Sequence, residues 1–167
     1  MPGPEPAPPQ LQTEVESLFA GFAQDGPMIG ILMSAESDRP VMEPAIEELE
    51  ERGISYEIRV ISAHRDPRGV AEYASTAVLR GLRVIIAGSG RAAALPGVVA
   101  AYTELPVIGV PIRGQDLQGM DSLLSIVQMP PGVPVGCMAI NGSRNAAIYA
   151  AKILAQGQGP PVVKTDG

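Results

Sequence analysis

Residues 82–97 read LRVIIAGSGRAAALPG and contain the three features on which the fold prediction depends. Leu82–Ala87 is an apolar run with the length of a strand that is buried on both faces. A glycine-rich turn follows, and Ala92–Tyr102 then has the alanine-rich composition of a helix, although Pro96 and Gly97 predict a break or kink within it. A buried strand, a tight turn and a helix in this order indicate one unit of an α/β domain.

The same order of strand and helix repeats on both sides of this unit. Four further strands are predicted, at Met28–Met33, Ser55–Ile61, Val107–Val110 and Val135–Ile140. Four further helices are predicted, at Asp38–Arg52 with Gly53 as its C-cap, Pro67–Arg80, Met120–Gln128 and Ser143–Ala155. Fivefold alternation with short connections is typical of a parallel sheet that is covered by helices on both faces. The prediction is therefore an α/β domain.

Composition places the chain among globular proteins and excludes two classes of partner. Its 167 residues are enough for one domain with a hydrophobic core, since 46% are hydrophobic and 18% charged. The formal net charge of −6 repels phosphate backbones and anionic lipid, so neither nucleic acid nor a membrane is an expected partner. No apolar run reaches the ~18 residues of a membrane span, and residues 1–26 contain no basic region followed by an apolar stretch. We expect a soluble, cytoplasmic protein.

The domain is predicted to occupy residues 27–156, between two segments of different composition. Residues 1–26 begin with a proline-rich leader, in which Leu11–Ala23 could form a short amphipathic helix, and residues 157–167 are expected to form a flexible tail. Cys137 is the one cysteine of the chain and lies in a predicted apolar strand. A buried thiol is expected there, in place of a nucleophile or a disulfide.

In an open parallel sheet, ligands bind beyond the carboxyl ends of the strands, so the segments that follow the strands are candidates for a site. These segments are Ser34–Asp38, Ser62–Asp66, Gly88–Ala94, Pro111–Gly119 and Asn141–Asn145. Ser37 or Asp38 could cap the following helix or help its free N–H groups to bind an anion. Capping is the simpler interpretation of that loop taken alone.

The loop after the second strand contains the strongest candidate for chemistry. His64 is the only histidine of the chain and is followed by Arg65. Histidine can accept or donate a proton near neutral pH, and the guanidinium fork of arginine suits a phosphate or carboxylate. The alternative is a surface histidine beside Asp66, which would then cap the next helix. The position of the pair on a ligand-facing loop favours a functional role.

The loop after the third strand does not indicate a dinucleotide cofactor. Its Gly88-Ser89-Gly90 sequence lacks the third glycine of the dinucleotide fingerprint, and a single G-x-G is a weak signal. No cluster of His, Cys, Asp and Glu has the spacing of metal ligands, and no serine has a recognisable His and Asp partner. We therefore expect no cofactor and no metal.

Four strings resemble the aminoimidazole ribonucleotide carboxylase and mutase family, whose class I members act in purine biosynthesis. They are SAHRDP (62–67), VIIAGSGRAAALPGVVAA (84–101), LPVIGVPI (105–112) and GMDSLLSIVQMPPGVPVG (119–136), within a similarity that runs from Met28 to Leu154. The resemblance implies a flavodoxin-like three-layer sandwich with a central parallel five-stranded sheet. It also implies a cofactor-free homo-octamer that moves a carboxylate from the exocyclic nitrogen of a phosphorylated heterocycle to a ring carbon, with carbon dioxide as a bound intermediate.

The resemblance implies a role for each candidate residue. His64 matches the catalytic histidine and is the implied acid and base, while Ser62 and Arg65 match residues that contact the phosphate. Asp38 matches the aspartate that holds the ribose hydroxyls, and Ser37 matches the serine before it. The remaining implied substrate-binding residues belong to the first and third loops and are Ser34, Gly90, Arg91, Ala94 and Leu95.

Two of these loops depart from the pattern of the family. Ser34-Ala35 stands where Gly-Ser is usual, Arg91 replaces a glycine, and Ala94 replaces a histidine. The segment Asn141–Asn145 is also shorter than usual. Three hypotheses follow: the housekeeping mutase; a divergent carboxylase or decarboxylase acting on another heteroaromatic nucleotide in specialised metabolism; and a non-catalytic ligand-binding homologue. Because a scaffold has no need for adjacent His64 and Arg65, the third is the least favoured.

Overall fold

The computed structural model describes residues 26–156, which form a parallel sheet between two layers of helices. The strands are β1 (Ile29–Met33), β2 (Tyr56–Val60), β3 (Val84–Gly90), β4 (Val107–Ile112) and β5 (Gly136–Cys137). The helices are α1 (Arg39–Glu51), α2 (Pro67–Ser75), α3 (Leu95–Ala101), α4 (Met120–Val127) and α5 (Ser143–Gln156). The predicted helix Leu11–Ala23, the leader as far as residue 25 and the tail 157–167 lie outside the described residues.

The strand order is β2-β1-β3-β4-β5, and every neighbouring pair is parallel. This is the order of a flavodoxin-like sheet, in which the chain first adds β2 on one side of β1 and then continues from β3 on the other. Ile29 pairs with Tyr56 on one side and with Val84 on the other, so β1 lies inside the sheet. The predicted three-layer α/β sandwich with a parallel five-stranded sheet is confirmed.

Two hydrophobic cores cover the two faces of the sheet, because β1, β3 and β4 are buried on both sides. Alternate residues along β1 therefore belong to different cores: Ile31 packs with residues of α1 and α5, and Leu32 packs with residues of α2 and α3. Such double burial explains why these strands read as continuous apolar runs and not as an alternating pattern.

The predicted C-cap of the first helix is confirmed. Gly53 has a φ of +64°, the left-handed conformation that glycine adopts without a steric penalty. Its N–H donates to Glu50 O at 3.0 Å, and the N–H of Ile54 donates to Leu49 O at 2.9 Å. These two bonds make a Schellman motif, which ends α1 and turns the chain toward β2.

The predicted strand Val135–Ile140 is wrong in its extent, since only Gly136 and Cys137 pair with β4. Pro134 has no N–H to extend the ladder toward the amino end. At the other end, the N–H of Gly142 donates to Ala139 O at 2.8 Å, so residues 139–142 form a turn and do not continue the strand. The strand β5 is therefore a short edge.

Two helix predictions also need correction. The helix predicted over Pro67–Arg80 ends at Ser75, where the hydroxyls of Ser75 and Thr76 both donate to Glu72 O, and a separate 3-10 turn spans Val78–Arg80.

The break or kink predicted at Pro96 does not occur, because α3 begins only at Leu95 and its first turn needs no N–H from proline. None of the helices within residues 26–156 is long and apolar enough to cross a membrane.

The substitution Gly109→Ala in β4 is expected to lower the free energy of unfolding by about 1–3 kcal/mol. A Cβ atom at this position would lie 2.5 Å from Ile126 Cγ2, 3.2 Å from Val135 Cγ1 and 3.3 Å from Pro96 Cβ, so α4 would be pushed from the sheet. Urea unfolding measures the effect. Gly136→Ala on the adjacent strand is the matched control, because its nearest atom would be 3.7 Å away; equal losses in both variants would contradict the explanation.

Candidate functional site

An open cleft of about 660 Å³ lies at the carboxyl edge of the sheet. Its lining comes from the loops after β1, β2, β3 and β4, as expected for an open parallel sheet. The lining residues are Ser34, Ala35, Ser37, Asp38, Ser62, His64, Arg65, Gly90, Arg91, Ala92, Ile112, Arg113 and Gly114. The structure thus brings His64 into one cavity with residues of the first and third loops.

A second cavity, of about 470 Å³, lies near the amino ends of β4 and β5. Its lining includes Glu104 and Tyr149 but contains neither histidine nor arginine. The cleft at the carboxyl edge combines an imidazole with three guanidinium groups, so it is the better candidate for proton transfer on an anionic ligand.

The loop after β1 places Asp38 in the lining of the cleft. Asp38 Oδ2 accepts a hydrogen bond from the N–H of Ala35 at 3.1 Å, and the N–H of Asp38 donates to Ala35 O at 3.0 Å. The carboxyl is partly buried, and this desolvation raises its pKa above the usual value, although the hydrogen bonds from Ala35 and Ser34 oppose the shift. Asp38 is therefore positioned by its own loop, and the simpler interpretation, in which its side chain caps α1, is wrong, because the carboxylate forms no capping hydrogen bond to that helix.

The loop after β2 forms a tight turn that presents His64. Ser62 O accepts hydrogen bonds from the N–H groups of Arg65 at 3.2 Å and Asp66 at 2.8 Å, and His64 lies exposed at the turn. Asp66 Oδ1 accepts from the N–H of Gly69 at 2.9 Å and so caps α2, as the alternative interpretation of this loop expected. Both interpretations of the loop therefore hold together: Asp66 caps α2, and His64 lines the cleft.

Arg65 connects the loops after β2 and β1. One guanidinium nitrogen, Nη2, donates to Ser34 O at 3.4 Å, and the side chain lines the cleft. The four other N–H groups of the fork have no further hydrogen bond to the described residues, so they are available to an anion.

The loop after β3 divides the predicted residues into two groups. Gly90 and Arg91 line the cleft, whereas Ala94 and Leu95 do not. Leu95 is only 1% exposed and packs in the core against α2, because it opens α3 and its side chain turns toward the sheet. Substrate contacts by Ala94 and Leu95 therefore remain predictions.

Two polar residues that sequence reasoning did not single out contribute to the cleft. Ser89 is 3% exposed, and its Oγ lies 2.7 Å from Ser34 Oγ, so it fixes the hydroxyl that lines the cleft. Arg113 directly follows β4, and its N–H donates to Asn141 Oδ1 at 2.9 Å. Arg113 could have been predicted from the sequence, because it lies within the candidate segment Pro111–Gly119. The contact between Ser34 and Ser89 could not, because it joins two strands that are distant in the sequence.

The cleft is basic although the protein is acidic. Three arginines and one aspartate line it, which leaves a net charge of +2 when His64 is neutral, against −6 for the whole chain. Focused positive potential of this kind attracts an anionic small molecule to one place on a surface that otherwise repels it.

Cys137 and metal binding are not part of this arrangement. Cys137 lies half-buried on β5, and burial raises the pKa of its thiol, which disfavours the reactive thiolate. Within residues 26–156, no group of three or more His, Cys, Asp or Glu side chains is placed to hold a metal ion.

Comparison with known proteins identifies the family. The family model described as AIR carboxylase matches residues 28–161, which is most of the chain. The chain belongs to this family. Because the matched range includes every strand and helix described above, the family relationship covers the sheet and the four loops that line the cleft.

Two curated relatives share more than half of their aligned residues with this chain. The N5-carboxyaminoimidazole ribonucleotide mutase of Pyrococcus abyssi is 58% identical over 128 residues, which are 77% of this chain and 74% of the relative. The protein of the same name from Thermotoga maritima is 59% identical over 128 residues, 77% of this chain and 75% of the relative. A crystal structure of Treponema denticola PurE superposes with a TM-score of 0.69 at 30% identity, covering 78% of this chain and 81% of that chain.

We propose that Asp38 binds a ribose, as the family resemblance implies, and we expect this binding to weaken as the pH falls, with a midpoint above the ordinary aspartate value of 3.8. Burial raises the pKa of this carboxyl, so protonation, which removes the acceptor for the ribose hydroxyls, begins at a higher pH than for an exposed aspartate. Since the raised pKa means that ionised Asp38 destabilises the fold, Asp38→Asn should not lower the free energy of unfolding at pH 7. Its affinity for the ribonucleotide should fall about tenfold or more.

Calorimetric binding of a phosphoribosyl ligand between pH 4 and pH 8 measures this dependence. The loss of affinity at low pH that is due to Asp38 should be absent in Asp38→Asn. It should be unchanged in Asp116→Asn, which alters an exposed carboxylate outside the cleft. The same pH dependence of affinity in all three proteins would show that Asp38 does not bind the ribose.

Proposed function

We propose that this chain is a cofactor-free mutase that moves a carboxylate from the exocyclic nitrogen to a ring carbon of an aminoimidazole ribonucleotide in purine biosynthesis. The observation that carries the proposal is the shared cleft, in which His64 lies with Arg65, Ser62 and Asp38. The names and identities of the relatives support the housekeeping mutase over the other two hypotheses. The relatives are named as mutases, whereas the family is described as a carboxylase. The two descriptions are compatible with this proposal, because both reactions concern an aminoimidazole ring that carries a carboxylate.

The lining residues divide the proposed substrate between them. Arg65 and Ser62 bind the phosphate, because a guanidinium fork and a hydroxyl suit its oxygens. Asp38, with Ser37 beside it, accepts hydrogen bonds from the ribose hydroxyls, and the position of its carboxylate is fixed by Ala35. The heterocycle then lies between the loops after β2 and β3, within reach of His64.

One imidazole is sufficient for the proton transfers of the proposed reaction. When the carbamate C–N bond breaks, carbon dioxide leaves and the exocyclic nitrogen gains one proton. When the ring carbon attacks carbon dioxide, a C–C bond forms and that carbon loses its proton. The two transfers balance, so His64 can donate in the first step and accept in the second.

Carbon dioxide has to stay beside the ring between these steps, and the cleft of one chain is open to solvent. We propose that the protein is a cytoplasmic homo-octamer whose neighbouring subunits help to close it. One face of α4 supports extensive subunit contact: Met120, Leu124 and Val127 are spaced as one helical stripe, and each is 51% exposed. An exposed apolar stripe of this kind is typical of a protein–protein interface.

His64→Asn is expected to lower kcat by a factor of about 10² to 10⁴, the usual contribution of a general acid and base. The assay follows conversion of N5-carboxyaminoimidazole ribonucleotide to its ring-carboxylated isomer by absorbance. Asparagine has a similar size and polarity but cannot exchange a proton near neutral pH, so binding of the substrate should change much less than kcat.

Arg68→Gln is the matched control for this measurement, because Arg68 is exposed on α2 and does not line the cleft. It should retain the activity of the unchanged protein. An unchanged kcat in His64→Asn would contradict the assignment of His64, and an absence of turnover in the folded, unchanged protein would contradict the mutase function itself.

Leu124→Glu is expected to dissociate the oligomer, because a charge placed at the centre of the α4 stripe would be buried without a partner. The mass in solution, measured by light scattering, should fall from eight times 17.4 kDa toward smaller species. Ser125→Glu is the control, since Ser125 is exposed on the same helix but off the stripe. A single-chain mass for the unchanged protein would contradict the octamer.

A further inference from the structure

The cleft carries positive charge at two separate places. Arg65 follows β2, whereas Arg91 and Arg113 follow β3 and β4. Because the strand order is β2-β1-β3-β4, the loop of Arg65 and the loop of Arg113 are three strand spacings apart, roughly 14 Å at the backbone. The loop of Asp38 lies between them. Such a cleft suits a ligand with two separated anionic groups better than a ligand with one.

The aliphatic part of Arg91 lies beside the loop after β4. A Cβ atom at Gly114 would lie 3.9 Å from Arg91 Cγ, which brings the aliphatic part of Arg91 next to the neighbour of Arg113 in sequence. Arg91 also has a φ of 55°, a conformation that is costly for a residue with a Cβ atom. Such outliers persist chiefly at functional sites, where the surrounding structure holds them in place.

Arg91 and Arg113 differ from four other arginines of the domain in their partners. Arg39, Arg52, Arg80 and Arg144 each form an ion pair with a glutamate. Within residues 26–156, neither Arg91 nor Arg113 forms such a pair, and both line the cleft. Two like charges on neighbouring loops, neither of them paired with a carboxylate, make a surface that a bound anion would stabilise.

We infer that Arg91 and Arg113 form a second anion-binding subsite, which takes the carboxylate of the substrate and product while Arg65 takes the phosphate. The inference rests on the proposed function, since that reaction has a carboxylate on the ligand before and after the transfer. A guanidinium fork binds a carboxylate through two parallel N–H···O bonds. The two arginines are therefore specificity-determining residues, which favour the carboxylated ribonucleotides over the decarboxylated one.

The test compares the affinities of the full-length protein for two ligands that differ in one group. The ligands are the ring-carboxylated aminoimidazole ribonucleotide and aminoimidazole ribonucleotide itself, and calorimetry gives both dissociation constants. The unchanged protein should bind the carboxylated ligand about ten- to a hundredfold more tightly. Arg91→Gly and Arg113→Gln should each reduce this ratio, and the double variant should bring it close to one.

The variants are chosen so that folding does not obscure the result. Glycine accepts the positive φ of position 91 without strain, and Arg113→Gln leaves the backbone bond to Asn141 in place. Arg83→Gln is the matched control, because Arg83 is exposed at the opposite end of the strand that leads to Arg91. It removes the same charge, and the ratio of affinities should not change.

Equal losses of affinity for both ligands would overturn the inference, because the arginines would then bind the phosphate. An unchanged ratio in the double variant would also overturn it. Turnover of N5-carboxyaminoimidazole ribonucleotide separates this inference from the proposed function. If the protein turns over this substrate but the ratio of affinities is unchanged in the arginine variants, only the subsite is refuted. If there is no turnover but the ratio falls in those variants, the mutase function is refuted and the subsite is supported.

Discussion

Burial of β1, β3 and β4 on both faces is the constraint on which the arrangement of this protein depends. A strand in that position has no solvated side, so helices must cover both faces of the sheet, and each crossover returns the chain to start a parallel strand. All carboxyl ends then meet along one edge. The loops at this edge are connected to rigid strands but face solvent themselves, so their side chains can serve a ligand without weakening the core.

Backbone strain is concentrated at the same edge. The residues other than glycine that have positive φ within the described range are Arg91, Gln118 and Asn141, and each lies in a loop that follows a strand. Asn141 also connects two of these loops, because its side chain accepts a hydrogen bond from Arg113 N–H. The well-packed sheet can hold such conformations, and the cleft gains a fixed shape in return.

Three of the departures from the family pattern, at Ser34, Ala35 and Arg91, occur in residues that line the cleft, whereas Ala94 does not line it. Ala35 lacks a hydroxyl, but its backbone N–H still fixes Asp38. Ser34 brings a hydroxyl to the neighbouring position, and Ser89 at the end of β3 fixes its direction. The hydroxyl is thus moved within the cleft and not simply lost, which is consistent with a site that still binds a polar ligand.

The order of the strands and helices, the loops of the site and the pairing of His64 with Arg65 were determined by the sequence itself, because each depends on a local pattern of apolar residues, prolines and glycines. The strand order, the bond between Ser34 and Ser89 across 55 positions, and the nearness of Arg91 to the loop of Arg113 were decided only by the tertiary structure. The same is true of Leu95, which lies in the loop sequence but packs in the core. Local periodicity predicts the face that an element buries, whereas the identity of its neighbours depends on contacts between distant segments.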